Sequence, residues 1–359
     1  MAYNEGSYSF FGDTTRLGAI LPNEFVDIIY KAPQRIEIKK GVTSLGTYSK
    51  ITLIENKAGN SVSITGKDPV IKERKYKNDF EITTDTKALV IVNVADFNNY
   101  LSGVVESEGG GGKEIEYYKV QALMSRTYAL KYINKHQAEG FSLCDRVHCQ
   151  AYHSMLRFTP SIETAVRETE GIVMEDENNQ LVDAYFHANC GGQTSEAQYV
   201  WNSSIPYLNS FKDTFCIYTK QAAWEKRVPQ QKWADFLINN YNYPINDSVY
   251  GPLIFTFNQP ERMAFYHSPV LGIPLRDLRT EFGLRSTFFN AYPENTEVVI
   301  KGRGYGHGVG LCQEGAMKMA GYGYNYHQIA IYYFPGVHLV KLDKETFFRQ
   351  AVDSKNLNF

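Results

Sequence analysis

The sequence lacks a long apolar run, an excess of charge of either sign and a large number of cysteines. None of its hydrophobic stretches approaches the ~20 consecutive apolar residues that a membrane-spanning helix needs. The chain does not begin with charged residues followed by an apolar segment, as a signal peptide does. Its formal net charge of −2 argues against nucleic acid as a partner, because proteins that bind a polyanion usually carry a basic excess. Read literally, these absences indicate a soluble cytoplasmic protein.

The sequence contains enough hydrophobic residues to form a core and many aromatic residues. Its 359 residues suffice for one large domain or two medium ones, and a hydrophobic content of 43% is typical of a globular protein. The 26 tyrosines are many for a chain of this length. Aromatic rings stack on the apolar faces of sugars while tyrosine hydroxyls bond sugar hydroxyls, although protein cores also hold many tyrosines.

The hydrophobic pattern changes at Asp96. From residue 36 to residue 94, short alternating apolar runs separated by polar turns indicate strands. After Asp96, which suits a helix N-cap, the apolar residues follow helical spacing until Gly109 to Gly112 end the helix. Further helices are predicted from Glu114 to about Lys135, Ser161 to Glu170, after Gln313 and from Tyr326 to Phe334, and a hairpin over residues 172–188. The pattern predicts an α+β fold with a β-rich region at 15–95 and a mixed α/β region at 96–342.

Glu108 is the candidate proton donor. Positions 97, 101, 104 and 108 share one helix face, so Glu108 should continue the buried stripe while Glu106 points away from it. A carboxyl group beside apolar packing has a raised pKa, which a general acid requires. The alternative is a solvated residue at a helix end.

Two further patterns suggest ligand contacts. Along residues 181–188, strand alternation places Asp183, Tyr185 and His187 on one polar face, which can line a cleft or simply face solvent. Arg126 lies on the apolar side of its helix and therefore needs partners. It can brace the helix of Glu108, meet a substrate or form a structural ion pair.

The segment 302–316 reads GRGYGHGVGLCQEGA. Glycine at this density costs backbone entropy, so it is kept where the backbone turns sharply or a ligand comes close. Arg303 and His307 offer a cation and a titratable group beside backbone N–H groups, and Gln313 can bond an amide. The plainer interpretation is a loop between a strand and a helix.

A second chemical cluster precedes these segments. Zinc prefers four nitrogen or sulfur ligands, and five candidates lie within eighteen residues: His136, Cys144, His148, Cys149 and His153. A Cys144–Cys149 disulfide or free thiols are the alternatives. Cys190 and Cys216 can also pair in an exported protein. With five cysteines in all, at least one remains outside any disulfide.

Four segments occur in one order along the chain: NNYLSGVVESE (98–108) with ALMSRTYAL (122–130), YFHANCGGQT (185–194), the glycine-rich segment 302–316, and YYFPG (332–336). In this order they resemble the stage II sporulation protein D family, which includes the amidase-enhancer proteins. The resemblance extends from about Ile36 to Leu342. Within it, the stretch 216–281 matches none of the family's motifs and is a possible insertion. It implies a lytic transglycosylase that cuts the glycan strands of bacterial peptidoglycan in a cleft between its two regions.

The resemblance also implies roles for particular residues. Glu108 aligns with the family's catalytic glutamate, which first protonates the linkage between N-acetylmuramic acid and N-acetylglucosamine and then acts as base, giving a 1,6-anhydro end. The family usually has Met and Pro after this glutamate, whereas glycines 109–112 follow here, which predicts a more mobile loop. The implied sugar-binding residues are Tyr185, His187, Arg126, Arg303, Tyr305, His307 and Gln313.

The same resemblance sets expectations for partners and location. The family acts on strands stripped of stem peptides, which implies an amidase partner and an exported protein of the cell envelope or periplasm whose signal or anchor segment is absent from this chain. No cofactor is required, but some members hold zinc with His and Cys, so a structural zinc is an expectation. A non-catalytic wall-binding amidase enhancer is the second hypothesis. A zinc hydrolase is disfavoured because cysteine-rich sites rarely leave a position open for water.

Overall fold

The structure is a computed structural model that describes residues 2–153 and 160–343. It divides into two compact units. Of the described residues, unit 1 contains 2–113, 132–153, 160–171 and Asp343, and unit 2 contains Glu114–Lys131 and Ile172–Leu342. Helices and sheets occur together, with the strands concentrated at the N-terminal end, so the α+β class is confirmed. The domain boundaries at 15–95 and 96–342 stay a prediction.

Unit 1 is built mainly from antiparallel strands. Their bounds are β1 (Ala2–Glu5), β2 (Tyr8–Gly12), β3 (Thr15–Ile20), β4 (Asp27–Lys31), β5 (Arg35–Lys40), β6 (Thr43–Tyr48), β7 (Ile51–Glu55), β8 (Ser61–Lys67), β9 (Val70–Lys77), β10 (Asp79–Thr84) and β11 (Leu89–Val94). The sheet orders are β1-β8-β9, β11-β10-β7-β2-β3 and β4-β5-β6. Alternate residues of these strands point inward and form one core, which includes Phe10, Leu53 and Phe80.

Two helices complete unit 1, α1 (Phe97–Gly109) and α3 (Pro160–Glu168). The α1 helix begins where the sequence predicts, because the Asp96 carboxylate accepts the N–H groups of Asn98 and Asn99 at 3.0 and 3.2 Å. It ends at Gly110, whose φ of 65° only glycine adopts without strain. Val104 of α1 packs into the core of the strands, so α1 is anchored to the β-rich part of the unit.

Unit 2 mixes helices with short strands. Its bounds are α2 (Ile115–Lys131), β12 (Ile172–Glu175), β13 (Phe186–His187), α4 (Gln198–Trp201), β14 (Ala223–Pro229), α5 (Gln230–Tyr241), α6 (Leu275–Glu281), β15 (Phe289–Glu294), β16 (Glu297–Arg303), β17 (Leu311–Cys312), α7 (Gln313–Gly321), α8 (Tyr326–Tyr333) and β18 (His338–Lys341). The sheets are β12-β18, the parallel pair β13-β17, and β14-β16-β15. The helices predicted after Gln313 and from Tyr326 are α7 and α8.

Two sequence predictions need correction, both near the start of unit 2. The second helix ends at Lys131 rather than near Lys135, because the chain then enters tight turns in which the N–H of Lys135 bonds the carbonyl of Tyr132. The hairpin predicted over 172–188 is wrong beyond residue 182. There the N–H of Tyr185 bonds the carbonyl of Asp183 at 2.8 Å, a tight turn that breaks the strand. The chain after the turn pairs with β17 instead.

The possible insertion at 216–281 lies within unit 2 and stays a prediction. Residues of this stretch share one hydrophobic core with strands β15 and β16, centred on the buried Trp233. The stretch is therefore an integral part of unit 2. Within the described residues, no helix combines the length and apolarity that crossing a membrane requires.

Candidate functional site

Glu108 lies in the last turn of α1, where the fold holds it in place. Its Oε1 atom accepts the N–H of Ala151 at 2.7 Å. The side chain is largely buried, and burial raises the pKa of Glu108, while the Ala151 hydrogen bond offsets part of that rise because it favours the charged form. A carboxyl group with a raised pKa keeps its proton to higher pH and can serve as a general acid.

The segment that provides the Ala151 N–H lies along α1. The N–H of His153 donates to Ser107 Oγ at 3.0 Å. Between these contacts the Tyr152 ring lies against Gly103, where a Cβ atom would come within 2.4 Å of the ring. The Tyr152 hydroxyl donates to Asn93 at 2.6 Å. The residues on either side of Tyr152 are therefore fixed to the same helix that carries Glu108.

Glu106 is not where the sequence pattern places it. The residue is 9% exposed rather than on an outward face, because α1 is buried on more than one side, from Leu101 through Glu106. The prediction assumed a helix with one buried stripe. A helix packed on both the strands and α3 has no solvent face at this point.

Four of the five predicted metal ligands lie together in unit 1: His136, Cys144, His148 and Cys149. Their ligand atoms are all within 4.8 Å of one another. His136 Nδ1 contacts Glu139 at 2.5 Å, and its Nε2 is buried without a hydrogen-bond partner in the described residues. His153 is not part of this cluster and is exposed.

This cluster fits zinc. It supplies two imidazoles and two thiols, a set of four that tetrahedral zinc takes in structural sites. The pairing of His136 with Glu139 resembles the carboxylate contact that orients a metal-binding histidine. The unpartnered His136 Nε2 is then available to a metal.

In unit 2, the two glycine-containing motifs interlock. Strand β13 pairs in parallel with β17, so His187 lies opposite Cys312. Gly310 has a φ of 71°, and a Cβ atom there would lie 2.2 Å from the carbonyl oxygen of Tyr185. Likewise, a Cβ atom at Gly304 would lie 2.5 Å from the carbonyl oxygen of Asn189. The density of glycine in segment 302–316 thus allows two backbone segments to approach closely.

The two histidines of these motifs are neutral. His187 Nδ1 faces the carbonyl of Val309 at 3.1 Å and must donate to it, whereas His307 Nδ1 accepts the Val309 N–H at 3.0 Å. Burial, together with the positive charges of Arg279 and Arg262, lowers the pKa of His307 to about 4. Burial, then His307 and Arg262, lower the pKa of His187. Both rings are therefore uncharged hydrogen-bonding groups at neutral pH.

An aromatic surface surrounds His307. The Trp201 ring lies 4.4 Å from that of Tyr185 and 5.2 Å from that of His307, measured between ring centroids. Trp201 is 42% exposed. Trp201 was not predicted to contact a ligand, although its position shortly after the 185–194 motif could have indicated such a role. We call Tyr185, Trp201 and His307 the aromatic cluster.

Arg303 and Tyr305 occupy the same loop but behave differently. Arg303 is half-buried, with Nη2 donating to the carbonyl of Gln259 at 2.8 Å and its guanidinium 3.5 Å from the centre of the Phe288 ring. Tyr305 is exposed and contacts Arg285 through its ring. Of the two, Tyr305 presents its side chain to solvent.

Two predicted contact residues lie inside unit 2. Arg126 is buried and donates to the carbonyl of Ile172 at 3.1 Å. Gln313 is also buried, and its amide donates to Gln121 of α2 at 3.2 Å. Both side chains therefore connect elements of the unit's interior.

A second group of ligand-type residues was missed by the sequence analysis: Cys190, Asp213, Cys216 and Cys312. Hydrogen bonds from the Cys190 and Cys312 thiols lower the pKa of Cys216 to about 3, whereas burial raises the pKa of the other two thiols. All five cysteines of the chain are free thiols in the structure. Periodicity gives no signal for this group, because its members come from separate motifs.

Comparisons with known proteins agree with the motifs. The family described as "Stage II sporulation protein" matches residues 85–175, a range that contains Glu108 and the cluster of His136, Cys144, His148 and Cys149. An uncharacterised protein of Brachyspira hyodysenteriae is 26% identical over 340 residues, which cover 88% of this chain and 91% of that protein. The stage II sporulation protein D of Bacillus subtilis is 29% identical over 265 residues, covering 68% of this chain and 74% of its own length. The amidase enhancer of Bacillus subtilis is 24% identical over 392 residues, covering 93% of this chain and 54% of its own length.

Proposed function

We propose that the chain acts on the bacterial cell wall as a lytic transglycosylase, because it matches the stage II sporulation protein family over residues 85–175 and is similar to stage II sporulation protein D and to the amidase enhancer. The observation that carries the proposal is the state of Glu108. Burial and a fixed N–H contact hold this carboxyl group in place and keep its pKa above the ordinary value for glutamate. It lies in the part of the chain that the family matches.

One carboxyl group suffices for the proposed reaction. Protonated Glu108 donates its proton to the oxygen that links N-acetylmuramic acid to N-acetylglucosamine, and the bond from that oxygen to the muramic anomeric carbon breaks. The Glu108 carboxylate then takes the proton of the muramic six-hydroxyl, whose oxygen bonds to the anomeric carbon. The products are a free N-acetylglucosamine hydroxyl and a 1,6-anhydro muramic end. No water is consumed, and Glu108 recovers its proton.

The aromatic cluster is the proposed sugar-binding surface of unit 2. An exposed indole beside a tyrosine ring offers apolar area for the face of a sugar, and the neutral His307 is a polar group at its edge. Tyr305, exposed on the same loop, can contribute its hydroxyl. Neutral rings suit an uncharged N-acetylated sugar, because no charge must be desolvated on binding.

We further propose that the unit 1 cluster holds a structural zinc ion. His136, Cys144, His148 and Cys149 would bind it and Glu139 would orient His136. Zinc in a closed site of this kind supplies folding stability rather than chemistry. The chain from Cys149 to Ala151 then links the metal site to the N–H that bonds Glu108.

The test is an analysis of reaction products. Peptide-free glycan strands are incubated with the full chain, with Glu108→Gln and with Glu106→Gln, and the products are identified by mass spectrometry. We expect 1,6-anhydro muramic ends, each lighter by one water than a reducing end, from the wild type and Glu106→Gln, and no cleavage by Glu108→Gln. Reducing ends as the sole products, or wild-type cleavage by Glu108→Gln, would contradict the proposal.

The similarity to the amidase enhancer supports a second candidate, a wall-binding protein that stimulates an amidase without cutting glycan. The same variants separate the two functions. In a second assay, a muramoyl amidase acts on intact wall. If the protein is an enhancer without catalysis, the wild type and the Glu108→Gln variant stimulate the amidase to the same extent. A transglycosylase releases anhydro products from peptide-free strands with no amidase present, whereas an enhancer without catalysis releases none.

A further inference from the structure

The second group of ligand-type side chains lies deep in unit 2 and has no part in the proposed reaction. Cys190 follows β13, Asp213 and Cys216 lie in the loop before β14, and Cys312 ends β17. All four residues have no solvent-exposed surface. Their ligand atoms nevertheless converge, all within 4.8 Å of one another.

The carboxylate in this group lacks a cationic partner. Among the described residues, no Lys or Arg nitrogen lies within salt-bridge distance of Asp213, whose Oδ2 accepts hydrogen bonds from Tyr333 Oη at 2.9 Å and from Cys190 Sγ at 3.3 Å. Taking a carboxylate out of water is costly unless it is paired or coordinates a metal. The surroundings provide hydrogen bonds but no compensating positive charge in direct contact.

Hydrogen-bond donors around the sulfur atoms favour their negatively charged thiolate form. Backbone N–H groups of Cys190 and Gly315 donate to Cys312 Sγ at 3.3 and 3.4 Å. The backbone at Gly191 and Gly192 also helps to lower the pKa of Cys216. Such donors stabilise thiolates, and outer hydrogen bonds of this kind are typical around metal-bound ligands.

We propose that Cys190, Asp213, Cys216 and Cys312 bind one Zn²⁺ ion in a closed, structural site. Three thiolates and one carboxylate match the ligand number and type that tetrahedral zinc takes in proteins. With Zn–S bonds of about 2.3 Å, sulfur atoms at the corners of a tetrahedron lie roughly 3.8 Å apart. This distance is shorter than the 4.8 Å within which the ligand atoms of this group lie. A disulfide joins only two of the three sulfurs and leaves the third thiol and Asp213 buried beside it. A metal satisfies all four groups.

The neighbouring residues leave room for the ligands. Gly315 faces the group, and a Cβ atom there would lie 2.1 Å from Tyr333 Oη and 2.9 Å from Asp213 Oδ2. The glycine therefore preserves the contact between Tyr333 and Asp213. Because every ligand is buried, the site offers no position for substrate or water, and its effect is to fasten the loop of Cys216 and strand β17 to the end of the 185–194 motif.

Metal analysis of matched cysteine pairs tests the proposal in the full chain. The variants are Cys144→Ser/Cys149→Ser, which disables the unit 1 cluster, and Cys216→Ser/Cys312→Ser, which disables this one. After purification without added metal, we expect the first variant to retain about one equivalent of zinc and the second to lose that equivalent. The result is overturned if the first variant contains no metal, or if the second loses none relative to the wild type.

A measurement on the wild-type protein decides the matter if the second variant does not fold. The native protein is treated with an alkylating reagent before and after a chelator, and modified cysteines are located by mass spectrometry without reduction. Zinc binding predicts that Cys190, Cys216 and Cys312 react only after chelation, and that no peptides are cross-linked. A Cys190–Cys216 disulfide, or equal reactivity with and without the chelator, refutes the site.

Discussion

The last turn of α1 in unit 1 and the interlocked motifs of unit 2 present their polar groups in different ways. Glu108 is a single ionisable group on a helix end followed by glycines 110–112, and its carboxylate is held by the N–H of Ala151. The unit 2 motifs instead hold neutral rings on a backbone pairing that spans more than a hundred residues of sequence. The first arrangement suits proton transfer, which needs one titratable group with a shifted pKa. The second suits shape recognition, which needs a rigid surface.

The strongest test of this contrast is Glu108→Gln. We expect cleavage of peptide-free glycan to fall by at least about 100-fold, because a general acid contributes that much or more to the rate. Glycan binding, measured by calorimetry, should remain close to that of the wild type. A parallel loss of binding would mean that Glu108 also recognises the sugar in its ground state. Proton transfer and sugar recognition would then not be divided between the last turn of α1 and the unit 2 motifs.

Gly310→Ala examines the rigidity of the unit 2 motifs. The added Cβ atom meets the carbonyl oxygen of Tyr185 at 2.2 Å and requires a positive φ, so we expect the free energy of unfolding to fall by about 1–3 kcal/mol. Gly323→Ala is the matched control, since Gly323 also has a positive φ but no atom within 4 Å of the added Cβ. Equal destabilisation of the two variants would attribute the effect to backbone conformation alone.

Trp201→Ala removes the exposed ring of the aromatic cluster. We expect the KM for glycan to rise about tenfold, equivalent to about 1.4 kcal/mol of binding, with kcat little changed. Trp201→Phe should restore part of the affinity, and Tyr218→Ala, another exposed aromatic residue of unit 2, should leave KM unchanged. A fall in kcat without a change in KM would connect Trp201 with the chemical step instead.

The smallest expected effect is a dependence of stability on pH. The native state holds the Glu108 proton more tightly than the unfolded state, so its contribution to stability is present at low pH and declines as pH rises through the raised pKa. Glu108→Gln lacks this contribution. The difference in Tm, wild type minus variant, should therefore fall as the pH rises from the ordinary glutamate pKa upward. A difference that rises with pH would mean that the pKa is lowered rather than raised.

The helix that carries Glu108 could be predicted because its signals are local. Asp96 supplies the N-cap, apolar residues follow at helical spacing, and glycines end the helix, so residues within one short segment determine both boundaries. The burial of Glu106 could not be predicted in the same way. It depends on what packs against the other side of α1, which periodicity within α1 does not report.

The unit 2 motifs show the opposite case. The order of these motifs along the chain produced the resemblance to the family. The alternation along 181–188 predicted one continuous strand, but the turn at Asp183 breaks it. The burial of Gln313 against Gln121 depends on a partner 192 residues away. The convergence of Cys190 with Cys312 spans 122 residues. A single sequence contains no periodic signal for contacts of this range.

The α2 helix belongs to unit 2, yet unit 1 residues lie on both sides of it in the chain. Every residue from Tyr117 to Ala129 except Lys119 is buried, so almost all of this part of α2 is covered by the rest of the folded protein. During synthesis on the ribosome, α2 emerges before residues 172–342, which supply the rest of its unit. Until then its apolar side chains lack their native neighbours, and a nascent chain of this protein passes through a period in which chaperones that recognise exposed hydrophobic helices have a target. A truncated chain that ends at Gly171 never gains these neighbours, so its α2 residues stay without their native contacts.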